Sequence, residues 1–213
     1  MSISEPLPLD QEASVTSGDL TDAIADLRDR LPDETQDMNA LAGIALSLLL
    51  ASSVERMTQY AAALEMDTPV DTWHEAMKRE VKRLHIQALL FGLGALTALR
   101  LEHVVAVSEQ LRDEYGYLSS FAQDVRAGAL STAQIAARSA LYSNHAQVSF
   151  WSAKDAGQKA QGFTQERRVL GAAEHCADCI GYAAEGWVPI GSLPAPGDGS
   201  VCRANCQCTK EYR

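Results

Sequence analysis

Three different patterns of apolar and polar residues follow one another along the chain. Residues 1–18 have no apolar period and contain Pro6 and Pro8, as expected of a flexible arm. Residues 19–162 repeat apolar positions every three or four residues, which predicts helices. From residue 163 onward, short apolar runs alternate with turns rich in proline and glycine, which predicts β-hairpins. We therefore expect a mainly α-helical protein with an acidic arm over 1–18, a helical body over 19–162 and a small Cys-rich, zinc-ribbon-like module over 163–213.

Four helices are predicted in the helical body. The first follows Thr21 and stops before Pro32, because the residue before a proline avoids α geometry. The second is apolar on almost every side in its first half, so we expect other elements to enclose it. The fourth has an apolar stripe made of Ala137, Leu141, Val148 and Trp151. The second and third helices are predicted over about 38–65 and 70–115, and the fourth from Ser131 or Thr132 to about Ala156.

The third helix contains a seam of apolar residues that step by four and three positions in turn. The seam consists of Met77, Val81, Leu84, Ala88, Phe91, Ala95 and Ala98. This is a heptad pattern, which is typical of helices that pack side by side. Two interpretations stay open: the seam packs against the second helix within one chain, or it mediates self-association through residues 77–98. Gly92 and Gly94 either kink the helix or allow a partner to approach closely.

The overall composition is that of a soluble globular protein. Apolar residues make up 46% of the 213 residues, charged residues 22% and aromatic residues 6%, which disfavours both a disordered chain and a large β-sandwich. The most apolar runs, 40–51 and 85–99, are shorter than the roughly 20 residues of a membrane span, so we expect no membrane contact. The N-terminus lacks the positive and apolar regions of an export signal.

Charge is distributed unevenly. The net charge of −10 argues against a protein that coats DNA. Ten acidic and two basic residues fall within residues 1–40, whereas six basic and two acidic residues fall within 126–168. The segment 126–168 is our candidate for a non-specific contact with DNA or with an acidic partner, the alternative being an ordinary solvated helix surface.

All five cysteines lie near the C-terminus, in the order C-x2-C, a spacer of 22 residues, and C-x3-C-x-C. They are Cys176, Cys179, Cys202, Cys206 and Cys208. Two short thiol pairs joined by a long loop are typical of a zinc ribbon, in which four thiolates surround one ion tetrahedrally. We therefore predict one structural Zn²⁺ per chain. Cys176, Cys179 and Cys206 are expected ligands, either Cys202 or Cys208 is the fourth, and His175 is the only other candidate nearby.

Other uses of these cysteines fit the pattern less well. Disulfides are disfavoured by the odd number of cysteines and by the absence of an export signal. A thioredoxin-like redox pair would need a βαβ context around Cys176 and Cys179, which is lacking. A catalytic zinc site normally has histidine or carboxylate ligands and one open position. Nearby cations, among them Lys210, are expected to compensate the charge of the thiolates.

No motif of an enzyme is found in the sequence. It contains no phosphate-binding Walker loop, no G-x-S-x-G elbow and no H-E-x-x-H pair. The carboxylates of Glu109, Asp113 and Glu114 have no histidine at helical spacing, so they fit a solvated helix face. We assign no catalytic residue and predict that the protein is not an enzyme.

Residues 167–208 resemble the C-terminal module of the tailed-phage head morphogenesis, or minor head protein, family (the Mu F-like group). That family has a CxxC knuckle and a terminal segment of the form H-P-N-C-R-C. Cys176 to Cys179 match the knuckle and Asn205 to Cys208 match the end of the terminal segment, whereas Arg203 and Ala204 replace the histidine and proline. The resemblance covers only the last fifth of the chain.

The resemblance implies a structural protein of the virion head. Such a protein would be made in the host cytoplasm and would contact capsid or portal proteins during assembly. The alternative function is a zinc-ribbon protein that binds nucleic acid or regulates another protein. That alternative needs an excess of basic residues on the module, whereas residues 154–213 contain as many acids as bases.

Overall fold

The computed structural model describes residues 38–94 and 98–213, with side chains from Leu46 onward. The predicted arm over 1–18, the first predicted helix and Ala95 of the seam lie outside these residues. Within the described ranges the protein is mainly helical, with a small antiparallel sheet near the C-terminus, as predicted. The helices are α1 (Met38–Ala63), α2 (Val70–Leu93), α3 (Leu101–Arg126), α4 (Thr132–Ala160) and α5 (Ala177–Ala184), and the strands are β1 (Gln165–Val169), β2 (Val188–Pro189) and β3 (Thr209–Tyr212).

The predicted long helix over 70–115 is wrong, because the chain breaks it at Gly94. This glycine ends α2 in the left-handed conformation, with φ of 70°, and its N–H donates to the carbonyl of Phe91. A residue with a side chain adopts this conformation only at a cost, whereas glycine does so readily. The chain then starts a separate helix, α3, at Leu101.

Gly92 allows α2 and α4 to approach each other closely. A Cβ atom at Gly92 would lie 2.2 Å from the carbonyl oxygen of Phe150 in α4, and one at Gly157 would lie 2.7 Å from the carbonyl oxygen of Leu93. Both helices therefore require glycine where they cross. The close partner that Gly92 admits is a helix of the same chain.

The seam of α2 packs within the chain. Met77, Val81, Leu84 and Ala88 are completely buried. The first two belong to a core with Trp73 and Phe121, and the other two belong to a second core with Phe150 and Trp151. α2 thus lies centrally and contacts α1, α3 and α4. These four side chains have no accessible surface to offer a neighbouring subunit.

The buried face of α4 differs from the predicted stripe. Leu141 is 44% exposed and Ala137 is also exposed, whereas Ile135, Tyr142 and Phe150 point into the core. The helix begins where it was predicted, since the Ser131 side chain accepts a hydrogen bond from the N–H of Gln134.

The C-terminal sheet is built around β1. β2 and β3 pair with its two edges, both antiparallel, and Arg168 of β1 lies opposite Lys210 of β3. α5 and a short 3-10 turn at Arg203–Asn205 lie in the connections between the strands. Among the helices in the described ranges, none is both apolar and long enough to cross a membrane.

Candidate metal centre

Two segments of the C-terminal module carry the five cysteines. Cys176 is the residue before α5, and Cys179 lies in the first turn of that helix. Cys202 and Cys206 flank the 3-10 turn, and Cys208 directly precedes β3. The first pair therefore sits at a helix N-terminus, which the sequence analysis did not predict, and the other three cysteines lie on one irregular segment.

The structure brings the thiols of both segments together. The Sγ atom of Cys202 lies 3.6 Å from that of Cys176 and 3.6 Å from that of Cys179. The Sγ atoms of Cys179 and Cys206 are 3.7 Å apart. Two sulfur ligands of one tetrahedral zinc ion, each about 2.3 Å from the metal, are separated by about 3.8 Å. The cluster can therefore hold a metal ion.

Cys179 is the centre of the cluster. The sulfur atoms of Cys176, Cys179 and Cys202 lie within 4.8 Å of one another, and so do those of Cys179, Cys206 and Cys208. All five cysteines are free thiols. Cys179, Cys206 and Cys208 are buried, whereas Cys176 and Cys202 are partly accessible.

Hydrogen bonds outside the cluster hold the two segments in register. The Asp178 carboxylate, between the first two cysteines, accepts a hydrogen bond of 2.9 Å from the backbone N–H of Val201. The Tyr182 hydroxyl donates to the carbonyl of Gly199 at 2.6 Å. These contacts join both ends of α5 to residues 199–201, which directly precede Cys202. They position the thiols without using any ligand atom.

His175 lies at the edge of the cluster next to Cys208. Its Nδ1 atom is 3.8 Å from the Cys208 sulfur, and its Nε2 atom is 2.9 Å from the carbonyl oxygen of Gly171. Gly171 must be glycine, because a Cβ atom there would lie 2.2 Å from the carbonyl oxygen of Gln207. The connection between β1 and α5 therefore packs directly against the segment that carries Cys208.

The environment changes the acidity of the thiols in opposite directions. Hydrogen bonding by the backbone N–H of Cys179 lowers the pKa of the Cys176 thiol to about 7. Burial raises the pKa of the Cys179 thiol. A low pKa favours the thiolate, which is the form that binds metal, whereas a buried thiol such as Cys179 becomes a thiolate only with a cation beside it.

Charged residues join the module to the helical body beside this cluster. The Lys210 ammonium is 2.7 Å from the Asp155 carboxylate of α4 and 2.7 Å from the Glu166 carboxylate of β1. The Tyr212 hydroxyl donates to the other Asp155 oxygen at 2.8 Å. Glu166 also accepts backbone hydrogen bonds from Gly191 and Leu193. Lys210 thus pairs with these two carboxylates, a use that the sequence analysis missed when it assigned Lys210 to the thiolates.

A second contact links the body directly to the cysteine segment. The Gln147 side chain of α4 donates a hydrogen bond of 3.1 Å to the carbonyl of Ala204, within the 3-10 turn between Cys202 and Cys206. Gln147 is itself buried. The position of the cysteines therefore depends on α4 as well as on the module.

Most of the basic residues between 126 and 168 are either paired with an acidic side chain or buried. Arg126 pairs with Asp71, Arg138 with Asp124 and Arg167 with Glu211. Lys154 and Arg168 are buried. These contacts neutralise or enclose much of the positive charge on which the predicted DNA contact depends.

A histidine and a serine meet in the core of the body. The Nδ1 atom of His85 is 2.8 Å from the Ser149 hydroxyl, which donates to the Gln110 side chain. Both residues are at most 2% exposed, so no substrate can reach them. We assign this pair to the packing of α2 and α4.

The chain matches no protein-family model, and comparisons with curated proteins and with solved structures give no match.

Proposed function

We propose that the protein is a non-enzymatic structural protein of a tailed-phage head, with a C-terminal module stabilised by structural zinc. The observation that carries the zinc assignment is the series of sulfur–sulfur contacts of 3.6, 3.6 and 3.7 Å that joins Cys176, Cys202, Cys179 and Cys206. Each of these three separations matches that between two sulfur ligands of one tetrahedral ion.

Zinc is favoured among the metals that bind sulfur. Thiolates select zinc, copper(I) and iron–sulfur clusters, and zinc is the ion most often held by four ligands from two short loops. The C-x2-C pair at the start of α5 and the C-x3-C pair around the 3-10 turn provide two such loops. A site filled by four protein ligands has no open position for a substrate, which is typical of a structural role.

The module needs a metal because it has little apolar surface to bury. Its strands are five, two and four residues long, and α5 has eight residues, of which only Cys179 is buried. Structural zinc contributes an apparent binding free energy of roughly 10–16 kcal/mol in peptide systems. We therefore propose that the ion holds α5 and the 202–208 segment together.

The role in the phage head is supported by the resemblance of the two cysteine segments to the minor head protein family. In this proposal the helical body contacts capsid or portal subunits in the virion head, and the zinc module keeps the C-terminal end rigid. Assembly takes place in the host cytoplasm, whose reducing conditions preserve thiolates.

Coexpression with the portal and major capsid proteins of the same phage tests this role. We expect the wild-type chain to sediment with assembled heads and a Cys176→Ser/Cys179→Ser variant to be lost from them. An Asp113→Asn variant, changed at a surface position of α3, is the control. Heads that exclude the zinc-loaded wild-type chain would contradict the assembly role while leaving the zinc site intact.

A further inference from the structure

The cysteine cluster contains more soft donor atoms than one tetrahedral ion can use. Five thiols and the Nδ1 atom of His175 converge on it. A single zinc ion binds four ligands. If Cys176, Cys179, Cys202 and Cys206 bind one ion, the two donors that remain are Cys208 and His175, which lie 3.8 Å apart.

The thiols form two groups that share one member. Cys176, Cys179 and Cys202 make up the first group, and Cys179, Cys206 and Cys208 make up the second. Cys179 belongs to both groups, and its thiol lies 3.7 Å from that of Cys206 in the second group. Cys179, Cys206 and Cys208 are 1%, 6% and 3% exposed, so the protein encloses the whole second group.

His175 has the hydrogen bonding of a metal ligand. Its Nε2 atom is bonded to the carbonyl oxygen of Gly171, which can only accept, so Nε2 carries the proton and Nδ1 keeps its lone pair. A carbonyl that orients the other ring nitrogen in this way is the usual outer partner of a ligating histidine. The lone pair of Nδ1 is near the Cys208 sulfur, at 3.8 Å, close to the separation of about 3.6 Å between nitrogen and sulfur ligands of one zinc ion.

We propose that the cluster binds two zinc ions, with Cys179 and Cys206 bridging them. Cys176 and Cys202 complete the first ion's ligands, and Cys208 and His175 complete the second ion's ligands. Six donors, two of them shared, supply four ligands to each ion. The inference rests on the proposed zinc site and adds a second ion to it.

The charge of the cluster favours the second ion. One zinc ion with four thiolates carries a formal charge of −2, whereas two zinc ions with five thiolates and a neutral histidine carry −1. Because buried charge is costly, the two-ion cluster fits the buried thiols of Cys206 and Cys208 better. It also gives a ligand role to all five cysteines.

Native mass spectrometry with elemental analysis of the full chain, purified without chelator and supplied with zinc alone, tests the proposal. We expect two zinc ions per wild-type chain and one in a His175→Ala/Cys208→Ser variant. A His103→Ala variant, changed on α3 in the body, should keep two. One zinc ion in the wild type would overturn the second site and leave the proposed structural zinc in place. No zinc at all would overturn both.

Cadmium substitution tests the bridging ligands separately. We expect two ¹¹³Cd resonances in the wild-type protein that are coupled to each other through the shared sulfur atoms. Two uncoupled resonances would overturn the assignment of Cys179 and Cys206 as bridges. A single resonance at full cadmium loading would overturn the two-ion cluster.

Discussion

Lys210 and Asp155 connect the last strand of the protein to the longest helix across a distance of 2.7 Å, with the Lys210 side chain completely buried. The same ammonium reaches Glu166, whose side chain is also completely buried. A single lysine thus pairs with two carboxylates, one from the body and one from the module. Since Lys210 follows Cys208 by two residues, the ion pair and the metal centre hold the same segment at adjacent points.

Replacing Lys210 with methionine should destabilise the protein strongly. The substitution leaves Asp155 and Glu166 buried without a cation, and breaking a buried pair in this way costs about 3–5 kcal/mol. The free energy of unfolding from urea titration measures the effect. The control is Glu211→Gln, which breaks the exposed pair with Arg167 on the same strand and should cost less than about 1 kcal/mol. Equal effects of the two substitutions would show that Lys210 does not have the proposed role.

Removing the metal should loosen the module and leave the core of the body folded. Without the ion, the short strands and α5 lack the burial that α2 and α4 have, so their hydrogen bonds should open first. Hydrogen exchange followed by mass spectrometry, before and after chelation, measures this. We expect faster exchange over 176–208 and unchanged protection over 77–93. Unchanged exchange over 176–208 in metal-free protein would contradict the stabilising role of zinc.

Gly92→Ala should destabilise the contact between α2 and α4. The added Cβ atom would lie 2.2 Å from the Phe150 carbonyl oxygen, which belongs to a helix backbone and cannot move aside easily. We expect a loss of roughly 1–3 kcal/mol, as for overpacked cores. Gly116→Ala is the matched control, because a Cβ atom at Gly116 of α3 meets nothing within 4 Å. That substitution should stabilise the helix by about 1 kcal/mol. Thermal unfolding of both variants shows whether a loss of stability comes from the close packing at Gly92 or from replacing any helical glycine with alanine.

His85 should make the protein less stable below neutral pH. Burial lowers the pKa of His85 from 6.5 to about 4, with a smaller opposing effect of the Glu114 carboxylate. The unfolded chain therefore binds a proton that the folded chain excludes, and stability falls as the pH drops from about 6.5 towards 4. The full loss from this residue is about 3 kcal/mol. Urea titrations at several pH values should show a shallower decline for His85→Gln than for the wild type. Parallel declines would contradict the prediction, and the protonation of thiolates, being common to both proteins, cancels in the comparison.

The start of α4 and the position of the metal cluster could be predicted from sequence because both depend on local patterns. Ser131 and Gln134 form the capping box that the residue types indicate. The paired spacing of the cysteines similarly predicted that the two segments would bring their thiols together, as they do. The fold class could be predicted from the spacing of apolar residues, which is helical up to residue 162 and changes afterwards. The part of the chain that the structure describes accordingly has four long helices followed by a small sheet after Ala160.

The buried face of α4 could not be predicted from hydrophobicity because much of it is polar. Ser139, Ser143 and Gln147 are buried, the last two in hydrogen bonds to other elements, whereas Leu141 is largely exposed. Contacts between residues far apart in the sequence could not be predicted either. Lys210 and Asp155 are 55 positions apart. The residues next to each of them in the sequence give no indication that the two side chains meet.

X-ray absorption at the zinc edge would identify the ligands of the proposed metal centre, because it reports the atoms bound to the metal in the intact protein. We expect a shell dominated by sulfur at about 2.3 Å. A shell dominated by oxygen and nitrogen at about 2.0–2.2 Å would show that the cysteine cluster is not the metal centre.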